Sequence, residues 1–272
     1  MRYASIMVAA DDGLHATARI RLAAEFAHRL GARLIGVAAC MPEYPQGFGE
    51  TIVPAGYGVE EIRQAALAKL LELEQAFRQT ACADDRVEWR ADLDHPVQFL
   101  ERQARAADLV VVGRYAGNAG VSQALAVALG AALMGLGRPV LVVPPGVAHL
   151  EARRILVGWK NTPRTRRAVS DALPLLRRAE TVQVLQVADH TDRSEIEDVA
   201  QYLSLHEVNA TTRLSEVSSR TVAEELQKAA VEAEADLIVT GAYGYSRLRE
   251  WFFGGVTRNL LAEASVCCLM SH

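Results

Sequence analysis

Ala107-Asp108-Leu109-Val110-Val111-Val112-Gly113 and Ala235-Asp236-Leu237-Ile238-Val239-Thr240-Gly241 are two spellings of one heptapeptide, 128 residues apart. Each is an apolar, β-branched run entered through Asp and closed by Gly, which is how a buried strand reads. A match of this kind means that the chain is written twice, and a missed repeat misassigns the whole fold. The same duplication lies upstream, where Ser5-Ile6-Met7-Val8-Ala9-Ala10-Asp11 aligns with Arg154-Ile155-Leu156-Val157-Gly158-Trp159-Lys160. A polar turn and a helical pattern follow each, from about Ala16 to Leu30 and from about Thr165 to Arg178.

Working outward, each half reads strand–helix four times and closes on a fifth strand. The further strands fall near Arg33 to Ala39, Val87 to Ala91 and Pro139 to Val143, then Thr181 to Ala188, Thr211 to Ser215 and Cys267 to Met270. Helices are expected near Glu60 to Gln79, Pro96 to Arg105, Ser194 to His206 and Thr221 to Glu234. Near-continuous apolar strands alternating with amphipathic helices imply a parallel sheet covered on both faces. Right-handed crossovers then give an α/β fold with two tandem, doubly wound, five-stranded parallel sheets. The helix-breaking Pro144-Pro145-Gly146 separates a first domain, residues 1–146, from a second, residues 150–272. Met41 to Gly58, with three prolines and four glycines, has no counterpart and is expected to be an irregular excursion from the first sheet. The two final strands are expected to pair, which covers two sheet edges at once and packs the halves as a pseudo-dimer.

The 272 residues are half apolar and 23% charged, enough for a sizeable core, with a formal net charge of −4. Without a basic block, nucleic acid is a poor partner. The four cysteines, Cys40, Cys82, Cys267 and Cys268, have no metal-ligand spacing, which argues against zinc and for a reducing compartment. Acidic residues interrupt the start of the chain before a signal-like apolar stretch can form, and the longest apolar run, Ala124 to Gly137, is too short to span a bilayer. That run reads as a largely buried helix. A cytoplasmic protein with no membrane partner is expected.

In such a sheet, ligands sit beyond the carboxyl ends of the strands where the winding reverses. The residues to read there follow the first and fourth strands of each half. In the second half, Gly241-x2-Gly244 is followed after nine residues by Gly254-Gly255-Val256-Thr257. Glycines in this place let backbone N–H groups approach phosphate oxygens, and a helix N-terminus adds partial positive charge.

This Gly-x2-Gly-x9-Gly spacing, preceded by Asp236-Leu237-Ile238-Val239, resembles the universal stress protein family, and the resemblance spans nearly all of both halves. It implies a tandem member with a Rossmann-like, adenine nucleotide alpha hydrolase-like fold. It also implies a loop that holds the phosphates of ATP, with Mg as its companion, and an Asp at the end of the first strand near the adenine. The chain departs from that pattern in both halves. At constant spacing Gly113 matches Gly241, but Ala116, Ala126 and Val127 replace Gly244, Gly254 and Gly255. A second alignment, through Gly117-x2-Gly120-x9-Gly130, needs an insertion and a compensating deletion. Asp11, with Asp12 behind it, supplies the acidic end in the first half, whereas Lys160 stands there in the second. The residue after the third glycine is Gly255 rather than a hydroxyl residue, with Thr257 a candidate substitute. The candidate site is therefore Gly241, Gly244, Gly254, Gly255, Thr257 and Lys160, with Asp11 and Gly113 vestigial. Lys160 either contacts an anion or is a solvated loop lysine, and the glycines either cradle phosphate or only ease helix–sheet packing.

There is no Walker motif, no GxGxxG after a strand and no histidine pair at ligand spacing. Ser246 lacks the flanking glycine of a nucleophile elbow. Of Trp251-Phe252-Phe253, not all three can face one core, so an interface and a homodimer are conceivable. Three functions remain: a stress-response protein that binds a nucleotide or other anion, a weak ATP hydrolase, and a ligand-free scaffold acting through partners. The sequence offers no base or acidic pair beside the glycine loop, so weak ATP hydrolysis is the most catalysis it supports.

Overall fold

In the computed structural model, the described residues are 2–42, 58–81, 85–115, 120–188, 193–216, 221–242 and 255–272. In the first half they form β1 (Ser5–Ala9), α1 (Ala16–Leu30), β2 (Arg33–Ala39), α2 (Val59–Thr80), β3 (Val87–Asp92), α3 (Pro96–Gln103), β4 (Leu109–Gly113), α4 (Leu129–Gly135) and β5 (Val140–Val143). The second half repeats the order with β6 (Arg154–Trp159), α5 (Pro163–Leu176), β7 (Thr181–Ala188), α6 (Ser194–Leu205), β8 (Ala210–Glu216), α7 (Val222–Glu232), β9 (Leu237–Gly241), α8 (Gly255–Glu263) and β10 (Cys267–Ser271).

All ten strands join one sheet in the order β3-β2-β1-β4-β5-β10-β9-β6-β7-β8. Every pairing is parallel except β5 with β10. The two expected five-stranded sheets are thus one surface, fused edge to edge by their last strands. The repeat is kept to the residue: Ile6 lies opposite Leu109 as Ile155 lies opposite Leu237, and Val110 lies opposite Val140 as Ile238 lies opposite Cys268. At the seam, Leu141 faces its own repeat partner, Leu269, while Val142 faces Cys268 and Val140 faces Met270. A pseudo-twofold axis therefore passes through the Leu141–Leu269 pair, the geometry of an isologous interface.

The core is two apolar layers, one on each face of the sheet. One lies under α1, α2, α5 and α6 and includes Phe26, Phe77, Ile155 and Leu176. The other lies under α3, α4, α7 and α8 and includes Val110, Leu133, Leu226 and Leu260. Both layers draw on both halves. Cys267 faces the first layer and Cys268 the second, as alternation along a strand requires. The repeated Asp is structural: Asp108 Oδ2 accepts from the backbone N–H groups of Ala4 and Ser5 at 2.7 and 3.1 Å. Asp236 accepts from those of Arg153 and Arg154 at 3.0 and 3.1 Å. Each carboxylate ties the start of a fourth strand to the start of a first, at the end of the sheet away from the ligand site.

One expectation is corrected. The apolar run from Ala124 is not helical throughout; only Leu129–Gly135 is, and Met134 is 56% exposed. Gly130, Gly135 and Gly137 weaken the helix, and Gly137 takes a left-handed φ of 59° that ends it. Most of the Pro- and Gly-rich segment, together with Cys82, Ser246 and Trp251 to Phe253, lies outside the described residues. Among the described residues no helix is long and apolar enough to cross a membrane.

Candidate functional site

The winding reverses between β6 and β9, and there the second half opens a cavity of about 240 Å³. Gly158, Trp159 and Lys160 line it from the end of β6, Thr240 and Gly241 from β9, and Leu185 and Val187 from β7. Two helix starts converge on it: Thr162, Arg164 and Thr165 of α5, and Gly255, Val256 and Thr257 of α8. Thr162 caps α5, its Oγ1 accepting from the Thr165 backbone N–H at 3.2 Å, and Pro163 occupies the first helical position. Two helix N-termini plus the cations Lys160 and Arg164 make the mouth favourable for an anion. Among the described lining residues none is a carboxylate. Thr162, Thr165, Thr240 and Thr257 are neutral donors, a poor set for Mg, which prefers carboxylate oxygens. The enclosed volume is below the roughly 300–1,000 Å³ of a typical small-molecule site.

Lys160, Gly241, Gly255 and Thr257 are thus brought together; Gly244 and Gly254 lie outside the described residues. The two described glycines differ in kind. A Cβ on Gly241 would stand 2.7 Å from the Thr165 backbone N and 2.9 Å from the Arg164 carbonyl carbon, so Gly241 is what lets α5 begin against β9. A Cβ on Gly255 would meet no described residue within 4 Å.

At the same place in the first half the expected vestigial site is filled. Asp11, the register equivalent of Lys160, is 3% exposed and ion-paired with Arg19, also 3% exposed. Asp11 Oδ2 also accepts from the Tyr115 hydroxyl at 2.8 Å, Oδ1 accepts from the Gly13 backbone N–H at 2.9 Å, and Arg19 Nε donates to the Ala9 carbonyl at 3.2 Å. Burial, with the Asp11 charge beside it, pushes the Tyr115 hydroxyl well above its ordinary range, so it stays a donor. A Cβ on Gly113 would overlap the Arg19 guanidinium. Neither carboxylate stands alone: Arg19 pairs with Asp11, and Lys69 lies 3.5 Å from Asp12. Sequence reasoning missed Arg19 and Tyr115. The available signal was Arg19 itself, a cation on the face of α1 that otherwise buries Ala16, Ile20, Ala23 and Phe26.

A doubly wound α/β domain with an anion-favouring cavity at its switch point is the class that fold and site define. Residues 151–272 match the model of the Universal stress protein family. Two solved structures share the whole architecture. A universal stress protein from Archaeoglobus fulgidus superposes at a TM-score of 0.70 and 13% identity, covering 98% of each chain. A functionally unknown protein from Pseudomonas aeruginosa does so at 0.58 and 15%, covering 99% of this chain and 92% of its own. No curated protein matches the chain.

Proposed function

We propose that the chain is a tandem universal stress protein, with domains at residues 1–146 and 150–272, that binds one nucleotide or similar anionic small molecule in its second half and acts through partners. The observation that carries this is the asymmetry between the two switch points. One is an open cavity under two helix N-termini and two cations; the other is closed by a buried Arg19–Asp11 pair. ATP is the ligand the family resemblance implies. Its phosphates would lie on the Gly241–Thr257 side and its other end near Lys160. Discrimination for adenine would be poor, because the carboxylate of the family pattern is replaced by an ammonium group. Catalysis is not part of the reading.

The test is an equilibrium titration with ATP and with AMP, followed by product analysis. Saturable binding of both without release of ADP is the expected result. ADP release above the buffer rate would instead make the protein a weak hydrolase, and absence of binding would leave a scaffold.

A further inference from the structure

The duplication allows the two switch points to be compared position by position. Asp11 and Asp12 follow β1, and Lys160 and Asn161 stand in their places after β6, at the same spacing as Ser5 and Arg154. Two carboxylates in one half are thus a cation and an amide in the other. The exchange runs the same way around the second-half cavity. His15 gives way to Arg164, Ala16 to Thr165, Val112 to Thr240 and Leu129 to Thr257, and all four replacements line the cavity. The three threonines are buried, at 4%, 7% and 3% exposure. Thr165 Oγ1 lies 2.9 Å from Thr162 Oγ1, and Thr240 Oγ1 donates to the Gly158 carbonyl at 3.4 Å. Each of these changes adds a hydrogen-bond donor or removes negative charge. Against them stands one lost cation, Arg114 to Ala242, which leaves the balance positive.

We infer that the second-half site takes its anion free of metal, so that Mg opposes the binding of a polyphosphate instead of assisting it. The inference rests on the reading that this half binds an anionic small molecule. It parts from the family pattern, in which Mg accompanies the nucleotide. A site that uses Mg holds it through carboxylate oxygens and substrate phosphates and leaves it several waters. Here the positive charge that the metal would bring is already supplied by Lys160, Arg164 and the starts of α5 and α8. A divalent ion carried in on a polyphosphate is repelled by both side chains and cancels about half of the ligand charge that attracts them. The metal-free polyphosphate keeps that charge, and its oxygens stay open to the ammonium, guanidinium and backbone donors.

The experiment is a calorimetric titration of the full chain with ATP at matched ionic strength, once in EDTA and once in excess magnesium chloride, with AMP alongside. The single phosphate of AMP holds Mg weakly, so AMP reports any effect of Mg on the protein itself. The expected result is an ATP affinity about tenfold higher in EDTA, with the AMP affinity the same in both buffers. Lys160→Asp, at an exposed position, restores the side chain of the first half. It should weaken ATP binding in EDTA about tenfold and abolish or invert the effect of Mg. If that variant does not fold, as judged by circular dichroism, Arg164→Gln takes its place, with the effect of Mg reduced. ATP bound equally well or better in Mg by the wild type, an equal loss of ATP and AMP affinity in Mg, or an effect of Mg unchanged in the variant would each overturn the inference and leave the anion reading in place. Absence of ATP and AMP binding in both buffers is a different outcome: it removes that reading, and this inference falls with it.

Discussion

Arg19 and Asp11 are two charges taken out of water together, so the stability of the first half depends on both being present. Removing one partner of a buried pair leaves an uncompensated charge, which costs about 3–5 kcal/mol. Arg19→Ala should therefore lower the free energy of unfolding in urea by about that much, and Tyr115→Phe, which removes one bond to a charged acceptor, by about 1.5–3 kcal/mol. A loss under 1 kcal/mol for Arg19→Ala would mean that the pair is hydrated and that the first-half site is not closed. His149 behaves differently because it is exposed. Its hydrogen bond to Glu25, 2.8 Å long, with help from Glu151, raises the imidazole pKa above its ordinary value, Arg29 opposing. A raised folded-state pKa gives stabilisation that is full below the unfolded value of about 6.5 and is lost as pH rises through the folded one. Titration of the His149 ring by NMR should show the raised value, and Glu25→Gln should return it toward 6.5; an unchanged midpoint in that variant would remove Glu25 as the cause. The sequence displayed Asp11 plainly, but not its partner. The Asp11–Tyr115 contact spans 104 residues, and only the fold brings it about.

The elements themselves were legible almost to the residue, because the inner strands of a parallel sheet buried on both faces are written as apolar runs, while the half-exposed edge strands β3 and β8 are marked by the alternation of elements around them. The Ala16–Leu30 helix and the Arg33–Ala39 strand have the boundaries their patterns imply. The misreading came at α4, where apolarity outlasts helicity because small residues with three glycines can be buried in extended chain as readily as in helix. The glycine loop shows the same limit in another form. Gly241 and Gly255 read alike as phosphate-loop glycines, yet one is required by packing and the other is not. Gly241→Ala should destabilise the protein by about 1–3 kcal/mol, since the start of α5 has to move. Gly255→Ala, at the first position of α8, should leave stability unchanged or raise it by up to about 1 kcal/mol. Thermal unfolding of the two variants measures this directly, and equal losses in both would contradict the separation of roles.

At the scale of the molecule, duplication becomes one sheet with two apolar layers shared across a pseudo-twofold seam. A contact beyond the strands also crosses it: the Tyr3 hydroxyl of the first half donates to the Asp171 carbonyl of the second at 2.5 Å. Burial raises the Asp171 pKa, and the Ser271 hydroxyl, donating to the carboxylate at 2.8 Å within the same half, opposes the rise. Residues 1–148 alone would expose the β5 edge and half of each layer. They should therefore dimerise through β5 or aggregate, and sedimentation showing a cooperatively folded monomer would contradict the shared core. The same duplication has one switch point open and the other closed, which is the central claim. Calorimetry with ATP on the wild type, Gly255→Val and Arg19→Ala tests it most directly. The account predicts one site per chain in the wild type, binding lost in Gly255→Val with the fold intact, and the wild-type affinity retained in Arg19→Ala. Two equal sites in the wild type, or binding kept in Gly255→Val and lost in Arg19→Ala, would place the ligand in the first half and contradict it.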